Sequence, residues 1–184
     1  MNRRRAGYLL SLSVAVLSAL ALTSDRAAAQ FRLGGQLSYG TGGIDPALGI
    51  GLRGTFGLGL AELDEGGDTA LGAIAGVLTL DRFFPDCNAL GCAIWEVSGN
   101  LVLPLLSAGG FTPYLGTGVA LSRFSVDENS AVDPGLLTDT NARLNILGGV
   151  RHRGARMTTF GELRKSLGGG DDPFYVSLGV LLGG

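Results

Sequence analysis

The sequence predicts an all-β fold: eight antiparallel strands closed up-and-down into a transmembrane β-barrel. Three observations lead to it. Eight segments alternate apolar and polar residues with period two, which marks strands with two unlike faces. Their polar faces are built from Gly, Ala, Ser, Thr and Asn with isolated charges, and the sole lysine of the chain is Lys165. The chain also begins with the layout of an export signal.

That leading segment places Arg3, Arg4 and Arg5 before an apolar run from Tyr8 to Leu22, followed by the small residues Ala27, Ala28 and Ala29. The order is that of a secretory signal peptide over residues 1–29. Its apolar run is shorter than the ~20 residues a spanning helix needs. Residues 30–184 then form one domain. Setting aside Arg3, Arg4, Arg5, Arg26 and Asp25 leaves 10 basic and 15 acidic residues, a net charge of −5. No basic run remains, which argues against a nucleic-acid partner. Cys87 and Cys92 are the only cysteines. In an exported chain they read as a disulfide closing a small loop, since a metal site would lack further ligands nearby.

The strands follow in order. In "FRLGGQLSY", Phe31, Leu33, Leu37 and Tyr39 oppose Arg32, Gln36 and Ser38. In "PALGIGLRGTFGLGL", Leu48, Ile50, Leu52 and Phe56 oppose Gly49, Gly51, Arg53 and Thr55. "ALGAIAGVLTLDRFF" alternates less clearly, with Thr79 and Asp81 sharing a parity. "AIWEVSGNLVLPLL" sets Trp95, Val97 and Leu101 against Glu96, Ser98 and Asn100. "FTPYLGTGVALSRF" sets Leu115, Val119 and Leu121 against Gly116, Gly118 and Ala120. "NARLNILGGVRHR" divides Leu144, Ile146 and Val150 from Arg143, Asn145 and Arg151. "ARMTTFGELRKSL" groups Thr158, Glu162, Arg164 and Ser166, and "FYVSLGVLLG" sets Val176, Leu178 and Val180 against Tyr175, Ser177 and Gly179. The linkers are rich in Gly, Asp, Asn and Pro, a turn composition, and hold every acidic residue after residue 30 except Asp81, Glu96 and Glu162.

Alternation alone fits a soluble sandwich too, with the faces reversed. Strand length and the near absence of lysine favour the membrane barrel over a secreted soluble β-barrel. An eight-stranded barrel has an interior just wide enough for side chains to fill. Small residues fit there, and Arg32, Arg53, Arg143, Arg151 and Arg164 can pair inside with Glu96 and Glu162. Closure also removes the free strand edges that lipid cannot satisfy.

"TPYLGTGVALSRF", "NARLNILGGVRHRGARMTTFGELRKSL" and the final "FYVSLGVLL" resemble the second half of small porin-like outer-membrane β-barrel proteins, the superfamily of OmpA-like eight-stranded barrels of Gram-negative bacteria. The resemblance implies outer-membrane localisation, insertion by the barrel assembly machinery, contact with lipopolysaccharide, and a monomer. It also implies that Glu162, on the penultimate strand, points into the lumen. With both ends periplasmic, residues 41–45, 85–92, 127–140 and 168–173 become outward loops. The chain departs from the family in ending "LLGG" instead of on an aromatic residue. Its aromatic girdles are thin, with Phe83, Phe84, Trp95 and Phe124 at strand ends. "AELDEGGD" is long for a periplasmic turn, a length that would suit a shifted strand assignment in the first half.

Little in the chain points to catalysis or a cofactor. "GIGLRG" at 49–54 matches the G-x-G-x-x-G spacing, but more strand follows it where a dinucleotide site needs a helix. His152, the sole histidine, has no Ser or acid at a spacing suited to general acid–base work. The expected role is structural or interactive: membrane integrity, adhesion or loop display, with the lumen plugged by paired charges. The alternatives are a narrow conduit for small, apolar molecules and, less directly, a lipid-modifying enzyme using His152.

Overall fold

A computed structural model describes residues 31–42, 47–58, 74–86, 92–126, 140–168 and 172–183. Eight strands, β1 (Arg32–Thr41), β2 (Ala47–Gly57), β3 (Ala75–Phe84), β4 (Cys92–Pro104), β5 (Phe111–Val126), β6 (Thr140–Arg153), β7 (Met157–Leu167) and β8 (Phe174–Leu182), form a closed antiparallel barrel in sequence order. Each strand falls on a segment whose alternation predicts it. The expected signal peptide, the "AELDEGGD" stretch and Cys87 lie outside the described residues.

The first-half register shows no slip. β2 and β3 pair from Leu48–Phe84 down to Gly57–Ala75, and their connection is tied at its base by Leu58 N donating to Ile74 O at 3.0 Å. A long connection therefore leaves from an ordinary ladder. The β4–β5 connection is a tight hairpin in which Ala108 and Phe111 exchange two backbone hydrogen bonds of 2.9 Å. Its central residues, Gly109 and Gly110, have φ of 57° and 83°. Two positive φ values in a two-residue loop match the twist of the flanking strands, and glycine reaches them without steric penalty.

The faces are turned inside out relative to a soluble sheet. Leu48, Leu144 and Leu178 are 67%, 61% and 63% exposed, and outward apolar side chains occur on all eight strands. Asp81, Asn145 and Ser166 are 0% exposed, among the most buried residues of the chain. A soluble monomer rarely carries so continuous an apolar girdle. Leu144, Ile146 and Val150 face outward while Arg143 and Arg151 turn in.

The interior is fitted by pairing large residues with glycines across the ladder. Tyr114 pairs with Gly149, Phe83 with Gly49, Asp81 with Gly51, Tyr175 with Gly40, and Phe160 with Gly179. In each pair the bulky side chain lies over the partner's backbone, where a Cβ would collide with it. A Cβ on Gly149 would stand 2.5 Å from the Tyr114 ring and 2.6 Å from Gly161 O. Two apolar clusters result, Val77, Val102, Tyr114 and Leu147 towards one end, and Ala47, Phe83 and Tyr175 towards the other. Phe83 is thus an inward core residue, contrary to its expected place in an aromatic girdle, because it shares parity with Thr79 and Asp81. Phe124 also turns inward and is half-buried, whereas Phe84 and Trp95 are exposed as expected.

Gly149→Ala is expected to lower barrel stability by about 1–3 kcal/mol through overpacking, read as a lower urea midpoint. An alanine at outward-facing Gly99, where a Cβ meets only Leu78 at 3.6 Å, is expected to leave that midpoint nearly unchanged.

Candidate functional site: the polar interior

Among the described residues, two ion pairs lie inside the barrel, each joined by a tyrosine. Arg53 on β2 donates from Nη2 to Glu162 Oε2 on β7 at 2.5 Å, and Tyr114 OH on β5 donates to the same oxygen at 2.9 Å. Arg164 on β7 donates to Glu96 on β4, whose other oxygen accepts from Tyr175 OH on β8 at 3.2 Å. Each guanidinium also lies over a ring: Arg53 at 4.2 Å from the Phe160 centroid, Arg164 at 4.3 Å from that of Tyr175. Such stacking suits a planar, weakly hydrated cation removed from water.

Uncharged groups extend both pairs. Gln36 on β1 donates from Nε2 to Asp81 Oδ1 at 2.7 Å and accepts from Arg53 Nη1 at 3.4 Å. A second chain runs from Ser166 to Asn145 (2.8 Å), from Asn145 to Asn100 (3.0 Å), from Asn100 to Ser98 (2.9 Å), and from Ser98 to Thr79 (2.8 Å). Asn145 on β6 reaches Asn100 on β4 across β5 because Gly118 stands between them, where a Cβ would lie 2.4 Å from Asn100 Oδ1. Ser38 and Ser177 share a hydrogen bond of 2.8 Å between β1 and β8. Arg53 Nε, Asp81 Oδ2 and Arg143 Nε stay buried without a hydrogen-bond partner; the bonds that do form favour the register that brings their partners together, because buried polar groups left unpaired are costly.

The residues expected to share the lumen divide into a centre and two mouths. Arg53, Glu96, Glu162 and Arg164 form the central pairs. Arg32 sits at the end bearing the β4–β5 hairpin, where its guanidinium donates to Thr158 Oγ1 at 3.2 Å. Arg151 lies near it, 5.9 Å from the Tyr114 ring centroid. Arg143 lines the opposite mouth. Arg143 and Arg151 share β6 next to Glu162 and Arg164 on β7, yet Glu162 takes its ion-pair partner from β2, across the barrel. Asp81, Gln36, Asn100, Asn145, Tyr114 and Tyr175 complete the network without having been singled out as site residues. Parity carried the signal for Asp81, Gln36, Asn100, Asn145 and Tyr175, whereas Tyr114 reads as just another aromatic in an apolar strand.

Two cavities lined by described residues lie inside, both small. A cavity of about 70 Å³ at the mouth near β1–β2 is lined by Thr41, Phe83, Asn141, Arg143 and Tyr175, among others. One of about 20 Å³ lies among Arg53, Tyr114, Arg151 and Leu181. Such volumes hold a handful of waters at most. No group of His, Cys, Asp and Glu suited to a metal ion occurs among the described residues. His152 faces outward against Phe111, ring centroids 4.6 Å apart, and pairs across the ladder with Thr159. Cys92, at the start of β4, is not a free thiol.

Similar solved structures are eight-stranded outer-membrane barrels. Neisserial surface protein A aligns over 83% of this chain and 96% of its own, at 13% identity and a TM-score of 0.64. Ail, the attachment invasion locus protein of Yersinia pestis, solved with the heparin analogue sucrose octasulfate, aligns over 83% and 95%, at 10% identity and a TM-score of 0.55. The N-terminal β-barrel domain of Pseudomonas aeruginosa OprF aligns over 82% and 96%, at 15% identity and a TM-score of 0.50. No protein-family model and no curated protein sequence matches the chain.

Removing one member of a buried pair strands the other charge, so Glu162→Ala is expected to cost about 3–5 kcal/mol in urea unfolding. Replacing both partners, Arg53→Met with Glu162→Leu, is expected to cost less than Glu162→Ala alone. Closure of the ladder, the reversed faces and the structural likenesses agree: this chain has the fold of the eight-stranded outer-membrane β-barrels.

Proposed function

We propose that the chain is an integral outer-membrane protein of a Gram-negative bacterium, exported by its signal peptide, with a structural or interaction role and a lumen plugged by paired charges. The observation that carries this reading is the apolar outer face on every strand around a polar, hydrogen-bonded interior. Hydrocarbon satisfies the outer face, and the closed ladder leaves no edge for it to reject. The same closure supports a monomer.

A plug is supported over a conduit by where the charges meet. Arg53–Glu162 and Arg164–Glu96 cross the axis from opposite walls, and Tyr114 and Tyr175 fill the space beside them. A passage for apolar molecules would need an apolar lining and an open bore. Among the described residues no nucleophile and base are held together at His152, which stands beside Phe111 and pairs across the ladder with Thr159. The role is therefore carried by what the barrel presents, its loops and its lipid-facing wall. In that frame Cys87 and Cys92 close a disulfide at the outer end of β4, bracing one displayed loop.

The direct test is gel mobility of the membrane fraction with and without boiling. A folded band that shifts on heating supports the reading, and recovery in the soluble fraction with no shift overturns it. In planar bilayers the wild-type barrel is expected to give no steady conductance. Ile146→Arg, on the outward face of β6, is expected to cost about 2–4 kcal/mol in vesicle-folded protein if it lies near the midplane. Thiol alkylation is expected to label neither cysteine until a reductant is added.

A further inference from the structure

One mouth of the barrel gathers arginines that no described carboxylate meets. At the end bearing the β4–β5 hairpin, Arg32 shares the inward parity of Gln36 and Ser38 on β1, and Arg151 and Arg153 that of Asn145 and Leu147 on β6. Thr158 on β7 brings two of them together: its Oγ1 accepts from Arg32 Nη1 at 3.2 Å, and its ladder partner is Arg153. Arg151 stands one inward position deeper on β6. It lines the small inner cavity together with Thr55, the ladder partner of Arg32. Arg32 and Arg151 are both close enough to Arg153 to be repelled by it, and Arg151 is repelled by Arg32 as well.

The carboxylates of the described strands are engaged elsewhere: Glu162 by Arg53 and Tyr114, Glu96 by Arg164 and Tyr175, and Asp81 by Gln36. Asp86 and Asp172 follow β3 and precede β8 at the opposite end of the barrel. Like charges held together in a narrow opening between low-dielectric walls focus a positive field and raise the local concentration of anions. A strand rises ~3.4 Å per residue, so Arg151 and Arg153 present their guanidinium groups at two depths ~7 Å apart, with Arg32 reaching in from β1. Guanidinium forks pair with the oxygens of a tetrahedral oxyanion through charge-assisted hydrogen bonds, and several of them can share one such ion. The three side chains turn to the lumen and not to the outer wall, so the ion they suit arrives from water.

We infer that Arg32, Arg151 and Arg153 form a binding site for a soluble, multiply charged oxyanion of the phosphate class at this mouth of the barrel, with Thr158 holding Arg32 in place. The site goes beyond the structural role proposed above. It depends on the closed barrel alone and is the same for either orientation of the barrel in a bilayer.

The full exported chain, folded into nonionic detergent micelles that leave both mouths open, is titrated calorimetrically with inorganic phosphate at constant ionic strength. Saturable binding is expected, about tenfold weaker in Arg151→Gln and in Arg153→Ala. Arg153 is exposed at the rim, so its replacement leaves the fold intact. Arg143→Ala, at the opposite mouth, is expected to keep the wild-type affinity. Phosphate is also expected to raise the urea midpoint of the wild type and not that of the Arg151→Gln/Arg153→Ala double variant. Absence of saturable binding, or undiminished affinity in both single variants, overturns the site. Loss of phosphate binding when phosphatidylglycerol is added to the micelles assigns the arginines to a lipid headgroup and overturns the soluble ion. Each of these results leaves the membrane reading standing, which fails separately if the wild-type chain shows no heat-dependent gel shift.

Discussion

The edge of an open sheet presents N–H and C=O groups without ladder partners, and closure of the ring removes every such edge. With eight strands, β8 returns to β1 along nine consecutive pairs, from Leu33–Leu182 to Thr41–Phe174. Tracing the pairing from Thr41 through Phe174, Lys165, Ile146, Thr117, Leu101 and Gly76 to Phe56 leads back to the neighbourhood of Arg32, near the opposite end of β1. This stagger is the shear that tilts the strands of a closed barrel. Once the ring is closed, the polar side chains that the strands turn inward share one narrow axis.

That axis is filled by two complementary devices. Glycines give the walls local recesses, and large residues from neighbouring strands occupy them, as Tyr114 does over Gly149 and Phe160 over Gly179. The tyrosines so placed bring their hydroxyls to Glu162 and Glu96, so the packing device also completes the polar one. Buried ion pairs add little stability over a well-packed apolar core, but they penalise any register that separates them. Their value in an eight-strand barrel lies in specifying which rungs meet.

Segregation of charge follows the same logic outward. Carboxylates on the described strands lie inside, and the outward basic residues Arg82, Arg123 and Lys165 gather near one rim.

Strand number and the two unlike faces of each strand were legible in the sequence, because the period of two is a local property of the chain. "NARLNILGGVRHR" carries both faces of β6 in thirteen letters. Phe83 shows the limit of that legibility: its parity with Thr79 and Asp81 was readable, but a phenylalanine near a strand end also resembles a girdle residue. Partner choice was not readable at all. Arg53 meets Glu162 from a strand remote in sequence, and Asn145 reaches Asn100 over Gly118, because ring closure and stagger, which no single segment encodes, decide which rungs face each other. Local alternation determined the two faces of every strand; only the closed ring decided which buried groups share the axis.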